Sequence, residues 1–149
     1  MEQLSYKDFS ARLHDSLATQ RIPMTGSIEV TRDGNLLTSE EAATLTNQSR
    51  LPVLIGMTCL NGYFQDLYTT SLAKAMLLAP GGSAVAVWAS SGLTAPEDQA
   101  PVDATMFNSL FSKTGRLGDA VQKVEQTITD PDILHTWIFF GDPATKRMW

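Results

Sequence analysis

LPVLIGMTCLNGYF, residues 51–64, is the stretch on which the fold reading turns. Leu51–Met57 is an unbroken apolar run of strand length, and Asn61-Gly62 after it is a turn signal. The run therefore reads as a strand buried on both faces. It ends in Thr58 and Cys59, the only cysteine of the chain. A parallel strand that leads into a helix delivers its last side chain to the crevice at the sheet's C-terminal edge, where open α/β sheets bind ligands. A thiol at that place is a candidate nucleophile. The structural alternative is a small apolar filler, the commonest use of a free cysteine.

Two more segments have the same character. Ala84–Ala89 (AVAVWA) is a second fully buried strand, and Thr136–Phe140 (TWIFF) is a third, closed by a turn at Gly141-Asp142-Pro143. Helical patterns lie between and before them. Tyr6, Phe9, Leu13 and Leu17 share one face of a first helix over 5–19, with Ser5 and Asp8 at its start. Arg21–Met24 is a weak edge strand interrupted by Pro23, Thr25-Gly26-Ser27 is a loop, Ile28–Thr31 is extended, and Asp33-Gly34-Asn35 turns the chain. Thr38 and Glu41 form a capping box for a short helix through Leu45. Thr70 caps a helix over Ser71–Leu78, stopped by Pro80-Gly81-Gly82. Ser90 to Pro101 reads as a polar loop that opens into the crevice beside Cys59. Val102, Met106 and Leu110 mark another helix, and Leu117, Val121, Val124 and Ile128 a last one after Gly115. This alternation predicts an α/β fold with a mostly parallel sheet, right-handed crossovers and helices on its faces.

Composition narrows the function classes. The 149 residues suit one domain, and 43% hydrophobic with 18% charged residues is ordinary for a globular chain. A net charge of −5 without a Lys/Arg cluster argues against nucleic acid as a partner. One cysteine makes no internal disulfide. No apolar run has the length of a membrane span, and the N-terminus lacks a signal peptide's apolar segment, so no membrane partner is expected and the compartment is open. No metal-ligand spacing is present, and no cofactor is expected. His14 lies off the apolar face of the first helix and reads as a surface histidine. His135 is expected to begin the last strand at the end of the sheet opposite Cys59, which makes it a poor base for that thiol. Trp88 and Trp137 read as core aromatics and Lys74 as a solvated side chain.

Five segments in order carry a family resemblance: LLTSEEAATLTN at 36–47, RLPVLIGMTCLNGYF at 50–64, SLAKAMLLAPGGSAVAVWASSGLT at 71–94, RLGDAV at 116–121 and TWIFFGDP at 136–143. Together they resemble the gingipain-like cysteine peptidases of the caspase-like clan, in register from about Ser27 to Pro143. The resemblance implies a caspase-like three-layer sandwich with a Cys/His dyad at the ends of adjacent strands. Residues 1–149 would then be a single domain, the C-terminal part of a peptidase domain incomplete at its N-terminus, with 1–24 a poorly matched lead-in.

Within that resemblance Cys59 is the nucleophile, and the oxyanion hole is formed by the N–H groups of Gly26 and Cys59. The dyad histidine of the family belongs to a His-Gly-Ser-like turn upstream of the cysteine. Here the turn is Thr25-Gly26-Ser27, so Thr25 stands at the histidine position. A threonine hydroxyl cannot serve as a general acid or base near neutral pH, and losing that group typically costs about 10²–10⁴ in rate. The expectation is a cysteine peptidase domain that is weak or inactive as an isolated chain. Ser90, Ser91, Glu97 and Asp98 form a substrate loop, whose acids could select a basic side chain. Expected partners are a peptide or protein substrate and, through an exposed sheet edge, a second copy or a missing N-terminal segment. The other reading is a non-catalytic peptidase-like domain that binds peptides or a partner through the 90–101 loop and that edge.

Overall fold

The computed structural model describes residues 37–112 and 115–146. The helix expected over 5–19, the segments at 21–24 and 28–31, the turn at 33–35, and both Thr25 and Gly26 lie outside the described residues. The described elements are α1 (Ser39–Ala42), β1 (Val53–Gly56), α2 (Leu72–Leu78), β2 (Ala86–Ser90), α3 (Pro96–Leu110), α4 (Leu117–Glu125), α5 (Pro131–Thr136) and β3 (Trp137–Gly141).

The strands form one sheet in the order β1-β2-β3. Strand β2 is buried along its whole length because both of its faces are covered. Successive strand side chains point to opposite faces. Ala86 and Trp88 join a core with Val102, Met106 and Leu110 of α3, Leu117, Val121 and Val124 of α4, Ile133 and Trp137. Val87 and Ala89 join a second core with Ala42, Ala73, Ala75 and Met76 from α1 and α2. The result is three layers, helix, sheet and helix. Trp88 and Trp137 stack at a tilt in the first core, centroids 5.8 Å apart, in keeping with the reading of both as core aromatics. Strand β1 is only half-buried except at Gly56, where the sequence predicted burial on both faces.

Strands β1 and β2 are parallel, with Val53 opposite Ala86 and Gly56 opposite Ala89. Strand β3 runs antiparallel to β2, with Ser90 opposite Trp137 and Ala86 opposite Gly141. The sheet is therefore mixed, and one expectation is corrected. His135, in the last turn of α5, lies at the end of the sheet to which β1 and β2 deliver their C-termini, the Cys59 end. The unforeseen helix α5 precedes the reversed strand. Asp130 accepts hydrogen bonds from the Asp132 and Ile133 N–H groups, Pro131 fills the first helical position, and the helix ends at the Cys59 rim, where β3 starts.

Other boundaries moved by local chemistry. The Thr38–Glu41 capping box is present, but α1 ends at Ala42. Helix α2 is capped by Ser71, whose hydroxyl accepts from the Lys74 N–H, and not by Thr70. Helix α3 begins at Pro96, so 96–101 is helix where a loop was expected. Proline fits the first turn of a helix, where most N–H groups lack an intrahelical acceptor anyway.

A buried asparagine ties the loop before β1 to the turn before β2. Asn47 Nδ2 donates to the carbonyls of Ser83 (2.8 Å) and Arg50 (3.0 Å), while its Oδ1 accepts from the Ser83 N–H at 2.6 Å. Ser83 is fully buried with φ at 93°, and Gly82 beside it has φ at 133°. A Cβ at Gly82 would lie 2.7 Å from the backbone N of Asn47, so only glycine fits there. Removing the carboxamide orphans buried backbone groups at roughly 1–3 kcal/mol each. Asn47→Ala is expected to lower stability by about 2–4 kcal/mol, read from the midpoint of urea unfolding.

Candidate functional site

Cys59 lies three residues beyond β1, half-buried at the rim. The segment around it is laid against the exit of β2 by backbone bonds. Leu60 N–H donates to the Gly92 carbonyl at 3.3 Å, Gly62 N–H to Ser90 at 2.8 Å, and Ala73 N–H to Asn61 at 2.9 Å. Leu60 makes this turn with φ at 63°, a left-handed conformation that costs a leucine roughly 1–2 kcal/mol. The surrounding bonds hold it there. On the other side, Ser91 donates to the Thr136 carbonyl through its N–H (2.7 Å) and its hydroxyl (3.0 Å). Cys59, the 90–94 segment and the junction of α5 with β3 thus share one rim.

The sulfur itself is held by Thr94 and Gln99. The Thr94 N–H donates to Sγ at 3.3 Å, and the thiol donates to the Thr94 carbonyl at 3.0 Å. Gln99 Nε2 lies 3.7 Å from Sγ and also donates to the Thr94 carbonyl (2.9 Å) and hydroxyl (2.7 Å). Gln99 is 4% exposed, on the first turns of α3. The Thr94 N–H is the largest influence on the thiol and holds its pKa below the ordinary 9.0. Partial burial opposes this, while the Thr94 hydroxyl, the Gln99 amide and the Cys59 N–H all act in the same direction as the Thr94 N–H. Hydrogen bonds donated to sulfur favour its charged form.

The other expected site residues are distributed differently. Ser90 is fully buried, and its hydroxyl is spent within the loop, on the Gly92 carbonyl at 3.1 Å. Ser91 is spent on Thr136. Glu97 and Asp98 are exposed on the first turn of α3. Thr25 and Gly26 fall outside the described residues. His135 is exposed, and among the described residues no hydrogen bond joins it to Cys59. Gln99 was not foreseen, although one sign was legible: it occupies the apolar stripe of α3, three residues before Val102 and seven before Met106. Beyond Cys59, the Asp66 carboxylate accepts from the Tyr68 N–H and from the Thr69 hydroxyl and N–H. That turn projects Leu67 and Tyr68 into solvent, 90% and 95% exposed. Among the described residues no group of three or more His, Cys, Asp or Glu side chains could hold a metal ion. No helix among them is long and apolar enough to cross a membrane.

A thiol thus stands beyond the end of a strand in a three-layer α/β/α sandwich, with donors turned on its sulfur. Comparison with known proteins is specific. The profile of peptidase family C25 matches residues 25–148, and the chain belongs to that family, the gingipain family of cysteine peptidases. Among solved structures it is similar to the complex of the Porphyromonas gingivalis RgpB pro- and mature domains (21% identity, TM-score 0.65). It is also similar to the Arg specific cysteine proteinase gingipain R (22% identity, TM-score 0.59). Each match covers 80% of this chain and 31% of the other, so the chain spans about a third of the length of those proteins. No curated protein matched.

Two measurements probe the rim. Alkylation of Cys59 by iodoacetamide is expected to rise with pH through a midpoint below 9.0. A folded-state pKa below the unfolded value means that the folded chain sheds this proton first. The thiol therefore adds stability as pH climbs from its folded value to 9.0, and adds none at lower pH. Secondly, a Cβ on Gly92 would lie 2.5 Å from Thr136 Cγ2. Gly92→Ala is expected to cost about 1–3 kcal/mol in thermal unfolding, with partial recovery on adding Thr136→Ser, which removes that methyl.

Proposed function

We propose that this chain is the nucleophile-bearing part of a cysteine peptidase domain, with Cys59 as the nucleophile. The observation that carries the reading is the half-buried sulfur at the strand-end rim, held by the Thr94 backbone and Gln99 in a chain of peptidase family C25. Cys59 Sγ attacks the scissile carbonyl, the C–N bond breaks, and the amine leaves with a proton. Water then cleaves the thioester and regenerates the thiol. The N–H groups of Gly26 and Cys59 receive the oxyanion. Glu97 and Asp98 are the candidates to select a basic side chain beside the scissile bond. One of the similar structures is that of an Arg specific cysteine proteinase.

The missing element is the proton carrier. Thr25 occupies the dyad histidine position, so the chain turns over slowly. Thr25→His is expected to raise hydrolysis of a quenched-fluorescent peptide set rich in Arg and Lys by about 10²–10⁴-fold, and Cys59→Ser to abolish that gain. An unchanged rate in Thr25→His would count against the position assigned to the histidine. The solvent-facing Leu67 and Tyr68 favour a second reading, a domain that binds peptides without cleaving them. On that reading Cys59→Ser binds the same peptides with unaltered affinity, and substitution of Leu67 and Tyr68 by serine abolishes binding.

A further inference from the structure

Gln99 is one of two polar residues, with Ser109, on the buried face of α3, and its surroundings give it a task. Its neighbours on that face, Val102, Met106 and Leu110, belong to the core, and Gln99 is itself 4% exposed. A glutamine so placed gives up water at its amide nitrogen, so the partners of that nitrogen must compensate. The orientation of the amide is fixed by chemistry. The Thr94 carbonyl oxygen only accepts, so the atom 2.9 Å from it is the nitrogen, Nε2. Two N–H hydrogens therefore serve three acceptors, the Thr94 carbonyl, the Thr94 hydroxyl and Cys59 Sγ. Gln99 thus holds Thr94 at two points, its carbonyl and its hydroxyl, and the N–H of the same residue faces the sulfur.

We propose that Gln99 is a positioning residue for Cys59: its buried carboxamide clamps Thr94 so that the Thr94 N–H, together with one of its own, faces the sulfur. This role deepens the reading of Cys59 as a nucleophile and rests on it. It gives the thiolate two neutral donors from elements other than its own strand, in a chain whose histidine position is occupied by threonine.

The test is the pH profile of iodoacetamide alkylation of Cys59 in the full chain and in Gln99→Leu and Gln99→Glu. Leucine removes the donors, and glutamate sets a carboxylate oxygen against the Thr94 carbonyl. The midpoint is expected to climb towards 9.0 in Gln99→Leu and further in Gln99→Glu, with a several-fold loss of rate at pH 7 and an unchanged limiting rate at high pH. A parent-like profile in both variants overturns the proposal. Should neither variant fold, the unmutated chain decides by nuclear magnetic resonance. The Gln99 side-chain amide signals are expected to move with the Cys59 titration and to stand still in Cys59→Ser; signals that ignore pH in the parent overturn the proposal. A Gln99-dependent profile in a chain whose Thr25→His variant gains no activity supports the positioning role and counts only against the position assigned to the histidine.

Discussion

Strand β2 has to satisfy two faces and two edges at once, and the molecule is arranged around that demand. Its side chains alternate into separate cores, Ala86 and Trp88 on one side and Val87 and Ala89 on the other. Its backbone pairs with β1 in one sense and β3 in the other. The small residues Ala86 and Ala89 let neighbouring layers approach, and the Trp88–Trp137 stack fills the space beneath the rim. Neither indole N–H has an acceptor among the described residues. Such an orphan typically costs about 1–3 kcal/mol, which the large apolar area of the rings offsets.

The same strand organises the chemistry. Ser90, its last residue, receives the Gly62 N–H, and two residues later Gly92 receives the Leu60 N–H. The turn that carries Cys59 is thereby docked on the end of a strand that cannot move without opening both cores. Loops supported in this way hold functional groups more precisely than their length suggests. Membership of peptidase family C25 and the likeness to gingipain structures agree with the three-layer fold that carries this strand. The donors around sulfur come from the 94–99 segment, where the polypeptide passes from extended backbone into helix α3.

Much of this was legible in the residues. The three apolar runs, the Thr38–Glu41 box and the stop at Pro80-Gly81-Gly82 are local signals, and local signals survive folding. So was Cys59 as the residue to watch, since it is the only thiol and follows a strand. The direction of β3 was not legible, because side-chain alternation marks the faces of a strand and not its sense, which is set by the path of the preceding helices. Asp130-Pro131 did announce a helix start, yet six residues are too few for an apolar period. Gln99 was concealed for a different reason. Pro96 and Pro101 made the start of α3 look like a loop, and in a loop a glutamine has no face to be on. Ser83, which bonds both ends of the Asn47 carboxamide, lies 36 positions away, a separation that sequence pattern does not span.

The reversal of β3 also decides where the chain goes next. Gly141 pairs with Ala86, at the start of β2, so the polypeptide leaves the sheet at the pole remote from the thiol. Residues 143 and 145 then fold back on the beginning of α4, where their carbonyls accept from Gly118 and Leu117. The carbonyls at 143 and 145 thus tie the exit of the sheet to the start of α4, and they leave the Cys59 rim clear of this last described stretch.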